Sequence, residues 1–458
     1  MHPAVAAQRI DVTMLRSGHP VALPAPSPRI LMPFVTSLRA AVLLGFAVPL
    51  TMSAQRLTPA RAAGEWVFQM DGDQQPQRVV LTADGDSLRG NVYGQKFAAT
   101  LTGTRITFNV GDFRWRGTLQ GDSIGGWLGL KDSSMWSARR FRPPATARAY
   151  EFTPKSWPRE FSTNVPPVLR LYPGDTVRTS TVDAGGNGRG AFGSRENHVT
   201  RGGNPLTGPF YVEGAVPGDV LIVRLLRVQL NRDWAFSGTQ IIENAIDVGY
   251  AAARKPENLD NKWVLDTVAG IARLQSPSPA LSALRIPLRP FMGVIALAPG
   301  DGVVPSSRES GAFGGNMEYA QLREGTTLYL PVTELGAYLY LGDGHAAQGD
   351  GELTGDAMET SMDVTFSVDV ARWKFASLPR AETADHIMSI GVGGSLEQAT
   401  RRATTDLAQW LESEYKLTSS ETALVMGFGV IYDVPDLVGT QVGVSARLLK
   451  SLLAPLTR

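Results

Sequence analysis

What most restricts the fold is a run of short alternating segments from residue 64 to about residue 144, each closed by a turn signal. The strand candidates are Glu65–Met70, Arg78–Thr82, Ser87–Tyr93, Phe97–Thr102, Arg105–Val110, Phe113–Gln120, Ser123–Leu130 and Met135–Phe141. Apolar and polar residues alternate in Arg105-Ile106-Thr107-Phe108 and in Phe113-Arg114-Trp115-Arg116. This is the period of a strand with one buried face. Asp84-Gly85-Asp86, Leu101-Thr102-Gly103 and Gln120-Gly121-Asp122 supply the turns. Strands this short, joined this tightly, predict a meander or small barrel. Trp66, Trp115, Trp127 and Trp136 are the expected core. No group of catalytic residues falls in this unit, so it is read as a packing or docking module.

A linker, Arg142-Pro143-Pro144-Ala145-Thr146-Ala147, follows. From about residue 150 to 458 the chain is again strand-rich, with candidates that include Val168–Tyr172, Thr176–Asp183, Phe210–Glu213, Val220–Val228, Val294–Ala298, Thr327–Pro331, Ala337–Gly342, Met362–Val370 and Ile387–Gly391. Val364, Phe366, Val368 and Val370 face one way, and Asp363, Thr365, Ser367 and Asp369 the other, as in a half-buried antiparallel strand. Two helices stand out. One starts at Ser395 with Gln398 three residues on, and the other at Thr418 with Glu421, both capping-box patterns. The expected class is α+β, predominantly β.

The net charge of +1 and the lack of a basic or acidic run argue against a nucleic-acid or electrostatic membrane role. There is no cysteine, which excludes a disulfide framework, a thiolate metal site and a cysteine nucleophile. Residues 1–60 resemble a targeting leader. Arg39 precedes the apolar run Ala40–Leu50, and small residues follow in Thr51-Met52-Ser53-Ala54. The run is too short to span a bilayer, so export to the periplasm or the exterior is expected. The residues before Met32 are unusual for such a leader and suggest Met32 as the start.

The densest chemistry lies in Gly342-Asp343-Gly344-His345-Ala346-Ala347-Gln348-Gly349-Asp350-Gly351-Glu352, at the end of the strand expected over Ala337–Gly342. The chain has five histidines, and this one sits among carboxylates. Residues two apart on an extended segment project to one side, so Asp343 and His345 can share one ion. Asp350 and Glu352 repeat the spacing but are read as turn or supporting residues, and Glu359 lies a short segment on. Imidazole with carboxylates suits zinc or a similar divalent ion, and calcium if oxygens dominate. The alternative is a polar turn whose aspartates cap backbone amides.

Other candidates are less specific. Asp183 ends an alternating strand before Gly185-Gly186, where it can be a ligand, a base or a turn residue. In Gly314-Gly315-Asn316-Met317-Glu318, the Asn and Glu side chains can enter one pocket or form a solvated turn. The loop Asn197–Pro209, rich in Gly and Pro and carrying His198 and Asn204, can line a pocket or serve merely as a long connection. Asp175 and Asp219 follow Pro-Gly turns and are read as turn residues. Nucleophile-elbow, phosphate-loop and dinucleotide motifs are all missing.

Several segments together resemble the acetamidase/formamidase family. They are Asn204–Ala215 with Pro217-Gly218-Asp219, Pro287–Gly300, Gly314–Glu318, Leu328–Val332, and Gly342–Glu352 continuing to Glu359. They fall in the family's order between about residues 150 and 450, leaving the first β unit outside. The resemblance implies a β-sandwich-like catalytic domain, commonly a dimer, that hydrolyses a small amide to carboxylate and ammonia with metal assistance. It points to Asp343, His345 and Glu359, with Asn316 and Glu318 nearby. The chain departs from the pattern at Glu318, where many relatives carry Asp, and at Asn204, where some carry His.

The expected roles follow. Asp343 and His345 bind the metal, with Asp183 a further ligand candidate. Glu359 is the general base, with Glu318 as alternative, and Asn316 donates to the developing oxyanion. The rival expectations are a hydrolase of another amide or an ester, and a secreted non-enzymatic calcium-binding protein.

Overall fold

The structure is a computed structural model that describes residues 58–456 apart from 73–74, 130–133, 192, 195–196, 256, 258 and 373–375. The leader expected over residues 1–60 therefore lies almost wholly outside the described residues. A short helix, Pro59–Ala62, leads into the first strand.

Eight antiparallel strands between Gly64 and Arg140 form a closed barrel, because Gly64–Met70 pairs with both Gln77–Asp84 and Ser134–Arg140. Closure removes the sheet edges that such short strands would otherwise expose. Trp66, Phe68, Phe108, Trp115 and Trp136 fill the interior, and Phe68 stacks on Trp136 with ring centroids 5.3 Å apart. Trp127 differs from expectation. It is 48% exposed because Ile124 and Leu128 take the inward positions of its strand. That phase leaves Trp127 on the outer face, opposite Met135.

The remainder is built on two large sheets. One has the order Ile431–Asp436, Val442–Leu449, His386–Gly393, Arg380–Glu382, Thr327–Pro331, Val220–Leu230, Met362–Ala371, Thr176–Ser180 and Ala149–Glu151. The other is centred on Phe291–Leu297 and Leu339–His345. One apolar cluster joins them: Leu221, Val223, Phe366 and Met388 from the first sheet meet Phe210, Ile295 and Leu341 from the second. The molecule is thus predominantly β with a sandwich-like core, as expected. The alternation read over Met362–Val370 is seen, with Val364, Phe366 and Val368 buried between half-buried polar residues. The strands Ile431–Asp436 and Val442–Leu449 were not anticipated. Val442–Leu449 is buried almost throughout, so it lacks the alternation that marks a half-exposed strand.

Helix Leu396–Glu414 covers the first sheet with Ala399, Ala403, Leu407, Trp410 and Leu411. Its approach is close: a Cβ on Gly391 would lie 2.2 Å from the carbonyl oxygen of Ala399. Asp406 is buried in that helix and receives Arg380 Nε at 2.7 Å and Ser389 Oγ at 2.8 Å. The second helix, Ser419–Gly429, has the full capping box between Thr418 and Glu421. At the first, Ser395 Oγ accepts from Gln398 N–H, but the Gln398 side chain reaches back to Gly394 rather than Ser395.

Candidate metal centre and active-site cleft

The site forms where one strand changes partner. Leu339–His345 pairs along one edge with Phe291–Leu297. Along its other edge it pairs first with Leu206–Val212, up to Gly342, and then with Glu359–Thr360, from Gly344. Asp343 sits at the changeover, with φ of 53°. His345 lies directly opposite Glu359. Glu318 comes from the neighbouring loop, whose Met317 and Glu318 amides both donate to the Gly293 carbonyl. Gly293 leaves the space they need, since a Cβ there would lie 2.8 Å from Glu318 Oε2 and 3.0 Å from the Asp343 carbonyl.

His345 is fully buried, with its ring edge-on to Phe291. Nε2 faces Glu359 Oε1 at 3.1 Å and Asp343 Oδ1 at 3.5 Å, and Nδ1 lies 3.3 Å from Glu318 Oε2. Gln348 sets the tautomer. Its Nε2 donates to the carbonyls of Glu318 and Pro435, so its Oε1, 2.9 Å from His345 Nδ1, must accept. That assigns the ring proton to Nδ1 and leaves the Nε2 lone pair directed at the two carboxylates.

A lone pair facing two carboxylates repels them unless a proton or a cation lies between. The titration of the cluster expresses the same conflict. Burial alone would lower the His345 pKa, but Glu359, Glu318 and Asp343 outweigh it and raise it well above the usual imidazole range. Burial, reinforced by Glu352, raises Glu318 well above the carboxylate range. Burial pushes Glu359 up to about 8 and Glu352 up to about 9. Asp343 moves the other way: burial opposes the shift, but the positive charge of His345 holds it below its ordinary value.

The donor set fits a divalent ion. Glu318, Asp343 and His345 offer ligand atoms within 4.8 Å of one another, and so do His345, Glu352 and Glu359. Five buried atoms here make no hydrogen bond: both oxygens of Glu318, Asp343 Oδ1, His345 Nε2 and Glu359 Oε2. Such atoms are costly to bury without a partner. Four residues around the site, Asn204, Glu318, Asp343 and Glu352, have left-handed backbone with φ between 46° and 53°.

The cluster forms the floor of a cleft of about 970 Å³, lined also by Asn204, Asn316, Arg308, Asp356 and the loop Leu437–Thr440. Asn316 lines this cleft as expected, and its Oδ1 accepts from Asn204 Nδ2 at 3.3 Å. Asn204 also donates to Asp343 Oδ2 at 2.9 Å.

Asp183, expected as a further ligand candidate, is placed differently. Its Oδ2 takes Arg232 Nη2 at 2.6 Å and its Oδ1 the Asn187 amide at 2.8 Å. It stands outside both ligand trios. Arg232 spans from Asp183 to the Glu359 carbonyl at 3.1 Å and to Thr360 Oγ1 at 3.0 Å. The pair therefore braces the Glu359–Thr360 strand from behind. Glu352, read from the sequence as a turn or supporting residue, is buried and its Oε1 accepts from the Ala357 amide at 3.1 Å. Asp350 is solvent-exposed. Asn204 lies in the loop Asn197–Pro209 that the sequence offered as a pocket lining or a plain connection; Gln348 escaped sequence reasoning as a site residue, although it lies within the motif, three residues from His345.

Fold and site together describe a β-rich hydrolase-like scaffold with a buried His–carboxylate centre at the base of a polar cleft. The Acetamidase/Formamidase family profile matches residues 156–312 and 303–386, just over half of the 458 residues. The chain belongs to that family. The formamidase of Methylophilus methylotrophus is 29% identical over an alignment 240 residues long that covers 42% of this chain and 58% of that one. The chain spans about half the length of the curated relatives it matches. Among solved structures, the acetamidase from Yersinia enterocolitica is similar at 26% identity and a TM-score of 0.57, over 69% of this chain and 94% of that one. The acetamidase from Bacillus halodurans is similar at 25% identity and a TM-score of 0.55, over 67% and 99%.

Proposed function

We propose that this protein is an amidohydrolase that converts a linear amide to carboxylate and ammonia with the help of a divalent metal, zinc before calcium. The observation that supports it most is the set of five unpaired buried atoms around His345, at the floor of a cleft in a chain of this family. Asp343 Oδ1 and His345 Nε2 would hold the ion. When bound, a divalent ion polarises the amide carbonyl and lowers the pKa of water.

The chain's own residues do the rest. Gln348 keeps the His345 proton on Nδ1, so that Nε2 is free to ligate. Asn204 holds Asp343 Oδ2, leaving Oδ1 for the ion. Glu359, pushed up to about 8 by burial, is the general base. A carboxyl poised near neutrality can take a proton from water and return it to the departing nitrogen. Glu318 is the alternative for that step. Asn316, with its side chain at the cleft wall, donates to the developing oxyanion. Asp183 acts on Glu359 only through Arg232. Export, from the leader-like run at residues 40–50, and a homodimer, from the family resemblance, complete the proposal.

The test combines elemental analysis with ammonia release from formamide and acetamide. His345→Ala should lose the bound metal and at least about a hundredfold in turnover. A variant that keeps both would sink the assignment. Tightly held calcium with no turnover on any amide or ester would instead favour a binding protein.

A further inference from the structure

The cleft is larger than formamide or acetamide requires. At about 970 Å³ it falls at the upper end of the ~300–1,000 Å³ range of pockets that enclose drug-sized ligands, whereas those amides have only a few heavy atoms. Its lining is also differentiated. The carboxylates of the His345 centre form the floor. Leu396, Leu437, Val438 and Val442 supply an apolar stretch, and Arg308 is the only basic residue among the described residues that line the cleft.

Arg308 is held by its backbone and left free at its head. The preceding Ser307 donates through its amide to the Arg159 carbonyl at 2.8 Å and through Oγ to the Gly203 carbonyl at 3.1 Å. Ser306 bridges to Glu160. Arg308 Nη2 lies 3.8 Å from where a Cβ on Gly203 would stand, one residue from the Asn204 that grips Asp343. Among the described residues its guanidinium makes no ion pair or hydrogen bond. Asp356, also in the lining, is near enough to feel its charge yet forms no ion pair with it. A solvated arginine is a common surface feature. Arg308 is exposed, yet it is the one cation among the described residues of a cleft lined by Glu309, Glu318, Asp343, Glu352, Asp356 and Glu359, and its unpaired head is placed to receive an anion.

We propose that Arg308 recognises a carboxylate at the far end of the substrate, so that the preferred substrate is a primary amide joined through a short methylene spacer to a carboxylate. The planar guanidinium matches a carboxylate with two parallel hydrogen bonds. The apolar walls suit the methylenes, and the amide reaches the His345 centre. This rests on the amidase function proposed above and adds to it the class of amide.

The probes are succinamate and its neutral isostere succinamide, with binding followed by calorimetry and turnover by initial ammonia release. The wild type should prefer succinamate in both affinity and kcat/KM by about tenfold to a hundredfold, the range of a charge-assisted hydrogen-bonded pair. Arg308→Gln should collapse that ratio to near one, through KM rather than kcat, and Arg308→Lys should keep part of it. Equal binding of the two probes by the wild type overturns the proposal whatever the turnover, as does a ratio unchanged in Arg308→Gln. Selective binding of succinamate without ammonia from any amide supports the anion site and defeats the amidase function instead.

Discussion

Glu318, Asp343 and Glu352 carry left-handed backbone, as does Asn204, which grips one of them. For residues other than glycine this conformation costs roughly 1–2 kcal/mol each, and it persists where surrounding structure imposes it. Three carboxylates held this way around one imidazole indicate a site kept in shape at the expense of stability. Asp436, close by, carries a related cost that can be measured. Burial pushes its pKa up to about 6, above the unfolded value of ~3.9. The folded state therefore binds this proton more tightly than the unfolded state. The stability it contributes is fully present below about pH 4 and lost as the pH rises through 6. Asn cannot ionise and can still accept from the Val438 amide, as Asp436 Oδ1 does. Asp436→Asn should match the wild type near pH 4 and exceed it by roughly 2–3 kcal/mol at pH 7.5. Denaturant unfolding at the two pH values checks this, and an equal offset at both would show that the burial argument is wrong.

At the scale of elements, the centre depends on the strand Leu339–His345 having different neighbours before and after Asp343. Gly293 is the position that lets the facing strand accommodate this. Gly293→Ala should push Glu318 and Asp343 apart, costing about 1–3 kcal/mol and, on the proposed function, most of the metal that the centre would hold. Melting curves and elemental analysis measure the two losses, and a variant with full metal content would show that the contact is not limiting.

What was legible in the sequence followed local geometry. Asp343 and His345 do approach to 3.5 Å, although Asp343, at φ 53°, is not the extended residue that the two-residue spacing assumed. Glu359 reaches the centre because its strand returns beside the first, with His345 opposite Glu359. Glu352 was undervalued because its pairing with Asp350 is a property of an extended segment. The loop turns instead, with Glu352 at φ 46°, and sends one acid inward and the other to solvent. Asp183 was misplaced for the opposite reason: its partner Arg232 is distant in sequence, and no spacing rule reports a buried ion pair of that kind. Trp127 failed on phase alone, since one step along a strand reverses the face.

For the whole molecule, the barrel is tied to the sandwich by a buried charge cluster. Arg78 in the barrel donates to Asp219 Oδ2 at 2.6 Å and to the Gly214 carbonyl. Glu65 adds Arg372 at 2.5 Å. Phe141 at the barrel's exit stacks on Tyr172. Removing the cation of a buried pair costs up to about 3–5 kcal/mol, although the Val216 amide still donates to Asp219 Oδ2. Arg78→Ala should therefore unfold in two calorimetric transitions where the wild type should unfold in one, the first belonging to whichever part loses its partner. A single transition at the wild-type temperature would mean that the barrel is held by its apolar contacts.

Gln348 gives the assembly a further property. Its amide group spans from His345, on one sheet, to the Pro435 carbonyl, on the edge strand of the other. The imidazole is thus aimed by a tie between the two halves of the sandwich. A shear of one sheet against the other would act on the ring through this amide. On the proposed function, the reactive geometry is therefore tied to how the two layers dock.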